Sequence, residues 1–293
     1  LKALVFSGGG SKGSFQAGAL KYLLGNLKID FQVLTGVSVG AINAAFLAQF
    51  KPGEEREAAE KISIMWSGIS TKDVYIPWMP LGRFHSMWKG GFYNPAPMIK
   101  LIKSNISLER IRKSGKQVSV GVISLSSGKY QVFDQDNKDF IDAVIASSLF
   151  PGMFPPIKIG NELYMDGGLK QISPIDVAIK LGASEVCAIV TSPEKRLPSF
   201  IHKPSTIDSL KRAIDLSTEK IMSNDIDKVK MYNKLAAHGI PGYKSVKLNI
   251  ICPKFNLVED FLDFNPVKIQ EMMETGYECA KVNYDLEDYF IGS

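Results

Sequence analysis

Apolar and polar positions along the chain alternate between two rhythms. Leu1 to Phe6 is a short apolar run that ends at a glycine cluster, the pattern of a buried strand. From Gly13 the apolar residues Phe15, Ala19, Tyr22 and Leu23 recur at helical spacing, and Gly25-Asn26 gives a stop. Phe31 to Leu34 reads as a second buried strand, followed by Gly36 and an alanine-rich helix from Val39 to Phe50. Glu54 to Trp66 predicts a third helix, its acidic residues gathered at the start where the helix dipole favours them. Tyr75 to Pro97 breaks the rhythm with Pro77, Pro80, Pro95 and Pro97 among Trp78, Phe84, Trp88, Phe92 and Tyr93, and is expected to be an irregular aromatic loop.

Further on, Val118 to Leu125 and Tyr130 to Phe133 flank Ser126-Ser127-Gly128-Lys129 as a hairpin. Phe140, Val144 and Ile145 mark a helix ending near Ser148, and Ser173-Pro174 opens another that Gly182 closes. Val186 to Val190 and Val246 to Ile251 read as buried strands. Between them Ile207, Leu210, Ile214, Ile221, Val229 and Leu235 mark one or two amphipathic helices, and a last helix runs from Asn265 to Leu286. Strands alternating with helices predict a layered α/β fold with one antiparallel pair.

Composition narrows the class. The 293 residues are 45% hydrophobic and can bury one large core or two small ones. With 35 Lys+Arg against 30 Asp+Glu, the +5 balance is dispersed; it permits contact with an anionic surface and does not argue for nucleic acid. Cys187, Cys252 and Cys279 are odd in number and widely spaced, which excludes a disulfide scaffold and gives no zinc or redox pattern. No apolar run has the roughly 18 residues of a membrane span, and no signal-peptide core is evident, so a cytoplasmic setting is the expectation. The chain opens on Leu1 rather than methionine, which leaves an upstream or removed segment open, delivery outside the cell included.

Three segments carry chemistry: Gly8-Gly9-Gly10-Ser11-Lys12-Gly13, Gly36-Val37-Ser38-Val39-Gly40 and Asp166-Gly167-Gly168. The second is a G-x-S-x-G pattern between a strand and a helix, the setting of a nucleophile elbow, whose tight turn needs small residues at Gly36 and Gly40. A serine N-cap after a glycine turn would look the same. Consecutive glycines at Gly8, Gly9 and Gly10 let backbone N–H groups converge as an oxyanion hole requires, and Lys12 adds a charge nearby or is simply solvated. Gly8-x-Gly10-x-x-Gly13 also fits a dinucleotide fingerprint, but Asp30, the acid at the right separation, precedes the second strand instead of ending it. A Walker loop fails because Ser14 stands where lysine should be. Of the three histidines, His85, His202 and His238, only His202 or His238 follows Asp166 in the order of a Ser-His-Asp triad, and neither has a supporting context. Asp134-Gln135-Asp136-Asn137 lacks the glycine and distal glutamate of a calcium loop, so no metal or cofactor is implied.

Taken together, the three motifs resemble the patatin-like phospholipase family, whose pattern runs from G-G-G-x-K/R-G through G-x-S-x-G to D-G-A/G. Ala146 to Pro151, Phe154-Pro155-Pro156 and Tyr164 to Gly168 also look like that family's approach to its aspartate. The resemblance implies a three-layer α/β sandwich with a mostly parallel central sheet flanked by helices, one domain over 1–293, its motif-bearing core at 1–190 and completed by 191–293. It implies a lipid acyl hydrolase in which Ser38 is the nucleophile and Asp166 its base, with Gly8, Gly9 and Gly10 as oxyanion donors. Lys12, Gly13, Gly36, Gly40, Gly167 and Gly168 support them. A phospholipid or other acyl lipid would be the partner, met transiently at a membrane surface. The Trp78 to Tyr93 stretch, with Arg83 and Lys89, suits an acyl-chain entrance or a membrane-facing cap, and equally a large loop packed on the core. The alternatives are a dinucleotide-binding oxidoreductase and a lipid-binding relative without catalysis.

Overall fold

The computed structural model describes residues 1–79, 89–193, 205–258 and 260–285. Its strands are β1 (Lys2–Phe6), β2 (Val33–Gly36), β3 (Gln117–Ser124), β4 (Tyr130–Asp134), β5 (Ile157–Ile159), β6 (Glu162–Asp166), β7 (Glu185–Ile189) and β8 (Lys247–Ile251). The helices are α1 (Gly13–Leu20), α2 (Val39–Leu47), α3 (Glu55–Ser67), α4 (Thr71–Val74), α5 (Ala96–Asn105), α6 (Leu108–Ser114), α7 (Phe140–Ser147), α8 (Ile175–Lys180), α9 (Thr206–Ala237) and α10 (Pro266–Asp285). All eight strands join one sheet in the order β5-β6-β3-β2-β1-β7-β8, with β4 also paired to β3.

Alternation along β1 divides the core. Leu4 and Phe6 face one layer, where α1, α2, α3 and α7 pack; Ala3 and Val5 face the other, with Ile175 and Ala178 of α8 and Met222 and Val229 of α9. This is the three-layer α/β arrangement with a mostly parallel sheet. β1 pairs in parallel with β2 and β7, β2 with β3, and β7 with β8. The expected single antiparallel pair is a correction: β3 runs antiparallel to both β4 and β6, and β5 to β6. The three-residue β5 is too short for periodicity to show. Helices α5 and α6 follow the aromatic stretch where the sequence pattern predicts no element, although Met98, Ile102 and Ile106 are buried there at helical spacing. The expected aromatic loop of 75–97 lies partly outside the described residues; its described ends are tied by an Ile76–Asn94 bridge and pass into α5 at Ala96.

Two features of the sheet position the site. Among the core strands the crossovers run from β1 towards β2 and from β7 towards β8, so the sheet changes direction between β1 and β7 and leaves a crevice at their carboxyl ends. On β3, Val120 pairs with Gly36 on one side and Phe133 on the other, while Val122 pairs with Asp166 and Gln131. Since β4 keeps one edge throughout, β2 and β6 occupy the opposite edge of β3 in succession. Asp166 therefore stands in line with the end of β2, where the chain turns into Ser38.

Candidate active site

The G-x-S-x-G segment forms a strand-to-helix elbow. Ser38 caps α2 with φ 59° and ψ −132°, a strained region for a residue bearing a side chain. The flanking glycines are required by contact: a Cβ on Gly36 would overlap the Gly40 carbonyl, and one on Gly40 would lie 2.5 Å from the Phe6 carbonyl oxygen. The elbow is braced from α7, where the Ser147 hydroxyl accepts the Ser38 N–H at 2.9 Å and donates to the Gly121 carbonyl at 2.7 Å.

Asp166 is wholly buried at the end of β6. Its Oδ1 accepts the Gly168 N–H at 2.8 Å, and the Ser38 hydroxyl interacts with the same carboxyl. The other carboxyl oxygen, Oδ2, is buried with no hydrogen-bond partner among the described residues. Burial dominates the electrostatics and pushes the Asp166 pKa up to about 7, against the opposing pull of Gly168 and Ser38. A Cβ on Gly167 would lie 2.6 Å from the Gly121 carbonyl oxygen, so the first glycine of Asp-Gly-Gly is a packing requirement and the second supplies a donor.

The glycine loop leaves β1 beside them. The Gly8 N–H is spent on the Ile172 carbonyl at 3.1 Å, so among the three expected donors Gly8 is not available. The Gly9 and Gly10 amides have no acceptor among the described residues, and both glycines take positive φ, 154° and 59°. Lys12 is not simply solvated: it is buried, with Nζ 3.5 Å from Asp215 of α9. Gly13 lets α1 approach Val39 and Trp66.

Other expectations are resolved differently. Asp30 lies before β2, at the amino end of the strand, and is paired with Lys116 at 2.5 Å, which removes the acid of a dinucleotide site. His238 is exposed at the end of α9 with Nδ1 on the Lys234 carbonyl, away from Ser38; His85 and His202 lie outside the described residues. Among the described residues, no three His, Cys, Asp or Glu side chains gather as a metal site. Sequence reasoning missed a buried relay behind the glycine loop. The Trp66 indole donates to Asn43 at 3.0 Å, Asn43 to Gln16 at 2.8 Å, and Gln16 to the Ser7 carbonyl at 2.8 Å.

Ser38, Asp166, Gly9 and Gly10 line one cleft that opens to solvent. Its lining is mostly apolar, with Ile42, Trp66, Ile69, Met98, Leu101 and Ile102 in it, and includes the polar side chains of Lys12, Asp215 and Thr218. Such a lining suits a molecule with a long apolar part and a polar end.

Comparison with known proteins agrees with this chemistry. The family described as patatin-like phospholipase matches residues 4–179, and the chain belongs to that family. It is 24% identical over 258 residues to the "Probable lipid hydrolase 463L" of Invertebrate iridescent virus 6, covering 80% of this chain and 86% of that protein. It is 28% identical over 198 residues to a "cGAMP-activated phospholipase" of Vibrio cholerae, covering 59% of this chain and 55% of that protein, so it spans about half the length of that relative. Among solved structures, VipD from Legionella pneumophila aligns at a TM-score of 0.48 and 15% identity, over 97% of this chain and 66% of that one. No described helix is long and apolar enough to cross a membrane.

Proposed function

We propose that the chain hydrolyses fatty-acyl esters of phospholipids through a Ser38–Asp166 dyad and an acyl-enzyme. In the ionised form Asp166 takes the Ser38 proton as Oγ attacks the ester carbonyl, and the Gly9 and Gly10 amides receive the oxyanion. The tetrahedral adduct collapses, the alcohol leaves with the proton held by Asp166, and Ser38 remains acylated. A water molecule then attacks, giving its proton to Asp166, and the fatty acid departs as Ser38 recovers its proton. The observation that carries this reading is a wholly buried carboxyl with a pKa of about 7 beside a serine on a strained elbow. An aspartate at its ordinary value would be a much weaker base for an alcohol.

The apolar side chains of the cleft would hold the acyl chain, and Lys12, Asp215 and Thr218 the head group. Contact with a membrane surface is supported by Met79, which is 78% exposed, and by Lys89 lying 5.7 Å over the Trp78 ring. The unit is read as a single domain, since β8 completes the sheet that β1 begins. A fluorophosphonate probe should label wild type at Ser38 and leave Ser38→Ala unlabelled, with loss of fatty-acid release from phospholipid vesicles. Absence of labelling on folded wild-type protein would end this reading.

A further inference from the structure

We propose that Thr191 is a positioning residue for the oxyanion loop, its hydroxyl fixing the direction in which the Gly9 amide points. This rests on the reading of Gly9 and Gly10 as oxyanion donors. Thr191 lies two residues beyond the end of β7, and the pairing of Phe6 with Ile189 brings it level with Gly8 across the crevice between β1 and β7. Its hydroxyl donates to the Gly8 carbonyl at 2.6 Å, and its N–H donates to the Ser7 hydroxyl at 3.0 Å. The side chain is buried, and its body fills the space that a Cβ on Gly9 would enter.

The consequence follows from peptide geometry. In a planar trans peptide the carbonyl and the next N–H point in opposite directions. Holding the Gly8 carbonyl against β7 therefore turns the Gly9 N–H away from β7 and towards Ser38, whose Cβ lies within 3.1 Å of where a Gly8 Cβ would be. Two hydroxyls hold the Gly8 carbonyl, Ser7 at 3.1 Å and Thr191 at 2.6 Å, and the shorter contact is the one that ties it to the chain beyond β7. Gly8 and Gly9 have no side chains to resist rotation of the peptide between them, and Gly9 sits at φ 154°, where glycine has neighbouring conformations of similar energy. A loop made of glycine so that its amides can converge is also one that can turn them away, and Thr191 is placed to prevent that.

The test compares Thr191→Val, which keeps the shape and removes the hydroxyl, with Thr191→Ser, which keeps the hydroxyl. The Ser7 hydroxyl, 3.1 Å from the Gly8 carbonyl, still satisfies that acceptor in the valine variant. Thr191→Val should lower kcat on a soluble short-chain ester by roughly tenfold to a hundredfold, part of the hundredfold or more that loss of an oxyanion donor costs. KM should stay within about twofold. Binding of a trifluoromethyl ketone, which needs the oxyanion donors, should weaken in the same proportion as kcat, while binding of free fatty acid should not change. Thr191→Ser should recover most of the loss. Equal loss in the serine and valine variants, or a valine variant with more than half of wild-type kcat, would overturn the proposal. If the valine variant does not fold, Thr191→Ala set against Thr191→Ser decides by the same ratios. Failure of the underlying reading is separate: wild type would then show no Ser38-dependent turnover or ketone binding at all.

Discussion

The pKa of Asp166 makes the strongest quantitative demand on this site. Burial raises it from an ordinary 3.8 to about 7. The base form should therefore be about half populated at pH 7 and only ~1% populated at pH 5. For a soluble ester, kcat/KM should rise roughly tenfold per pH unit up to about pH 7 and level off above it. A carboxylate of ordinary pKa would give almost the same rate at pH 5 and pH 8, so the two cases differ by about a hundredfold. One neighbour must be separated. Asp225 of α9 accepts the Ile172 and Ser173 amides beside the Asp-Gly-Gly turn, and burial, assisted by Asp176, raises its pKa to about 6. Its protonation should steepen the profile below pH 6, and Asp225→Asn should leave the single step near pH 7.

Stability should move in the opposite direction to activity. A group bound more tightly to its proton in the folded state stabilises the fold at low pH and loses that contribution as pH rises. For Asp166 the loss begins near pH 4, is complete just above pH 7, and is on the order of 4 kcal/mol. Asp166→Asn keeps an oxygen for the Gly168 amide and removes the buried charge. It should abolish ester turnover while raising Tm at pH 8, with a smaller gain at pH 5. A flat kcat/KM between pH 5 and 8, or an Asp166→Asn protein less stable than wild type at pH 8, would refute the reasoning.

Other outcomes follow from the same geometry. Ser147→Ala removes both the brace on the Ser38 amide and a donor to the Gly121 carbonyl; it should cost about 1–3 kcal/mol in denaturant midpoint analysis and lower kcat roughly tenfold, and an unchanged kcat would show that the elbow holds itself. Ile102→Trp should fill part of the apolar lining of the cleft. Excluding three methylenes at about 0.8 kcal/mol each predicts a roughly fiftyfold loss in kcat/KM for long-chain esters with little change for short ones, and equal loss on both would place the acyl chain elsewhere. Replacing Met79 and Trp78 by alanine should weaken sedimentation with anionic vesicles more than turnover of a soluble ester; equal effects would remove the membrane role from this segment.

What could be read from the chain and what could not divides along a physical line. Gly36, Ser38, Gly40 and the Asp166 turn are legible because their marks are clustered: a strained φ at Ser38 and carbonyls too close for a Cβ, some from distant strands, put small residues within a few positions of one another. Gly8 was misread as a donor because a glycine run does not say which of its amides another strand will take, and here Ile172 takes one. Ser147, Thr191 and the Gln16–Asn43–Trp66 relay were not legible as site residues. Each is an ordinary polar or aromatic residue whose role comes from register with strands distant in sequence. A signal for α5 did exist in Met98, Ile102 and Ile106, hidden by the prolines before it.

The two halves of the site arise from two discontinuities in one sheet. Where β1 and β7 diverge, the crevice receives the glycine loop, and the hydroxyl of Thr191 ties that loop to β7. Where β2 gives up the edge of β3 to β6, the opening receives Ser38 and Asp166, and the hydroxyl of Ser147 ties the elbow to β3 through Gly121. Ser38 and Asp166, far apart in sequence, are thus brought together by strand register rather than by loop conformation. A buried carboxyl can then stay close to the serine, because β3 measures the position of both. Loss of order at the edge of β3 should therefore separate Ser38 from Asp166 before it disturbs the glycine loop, whose anchor lies on β7.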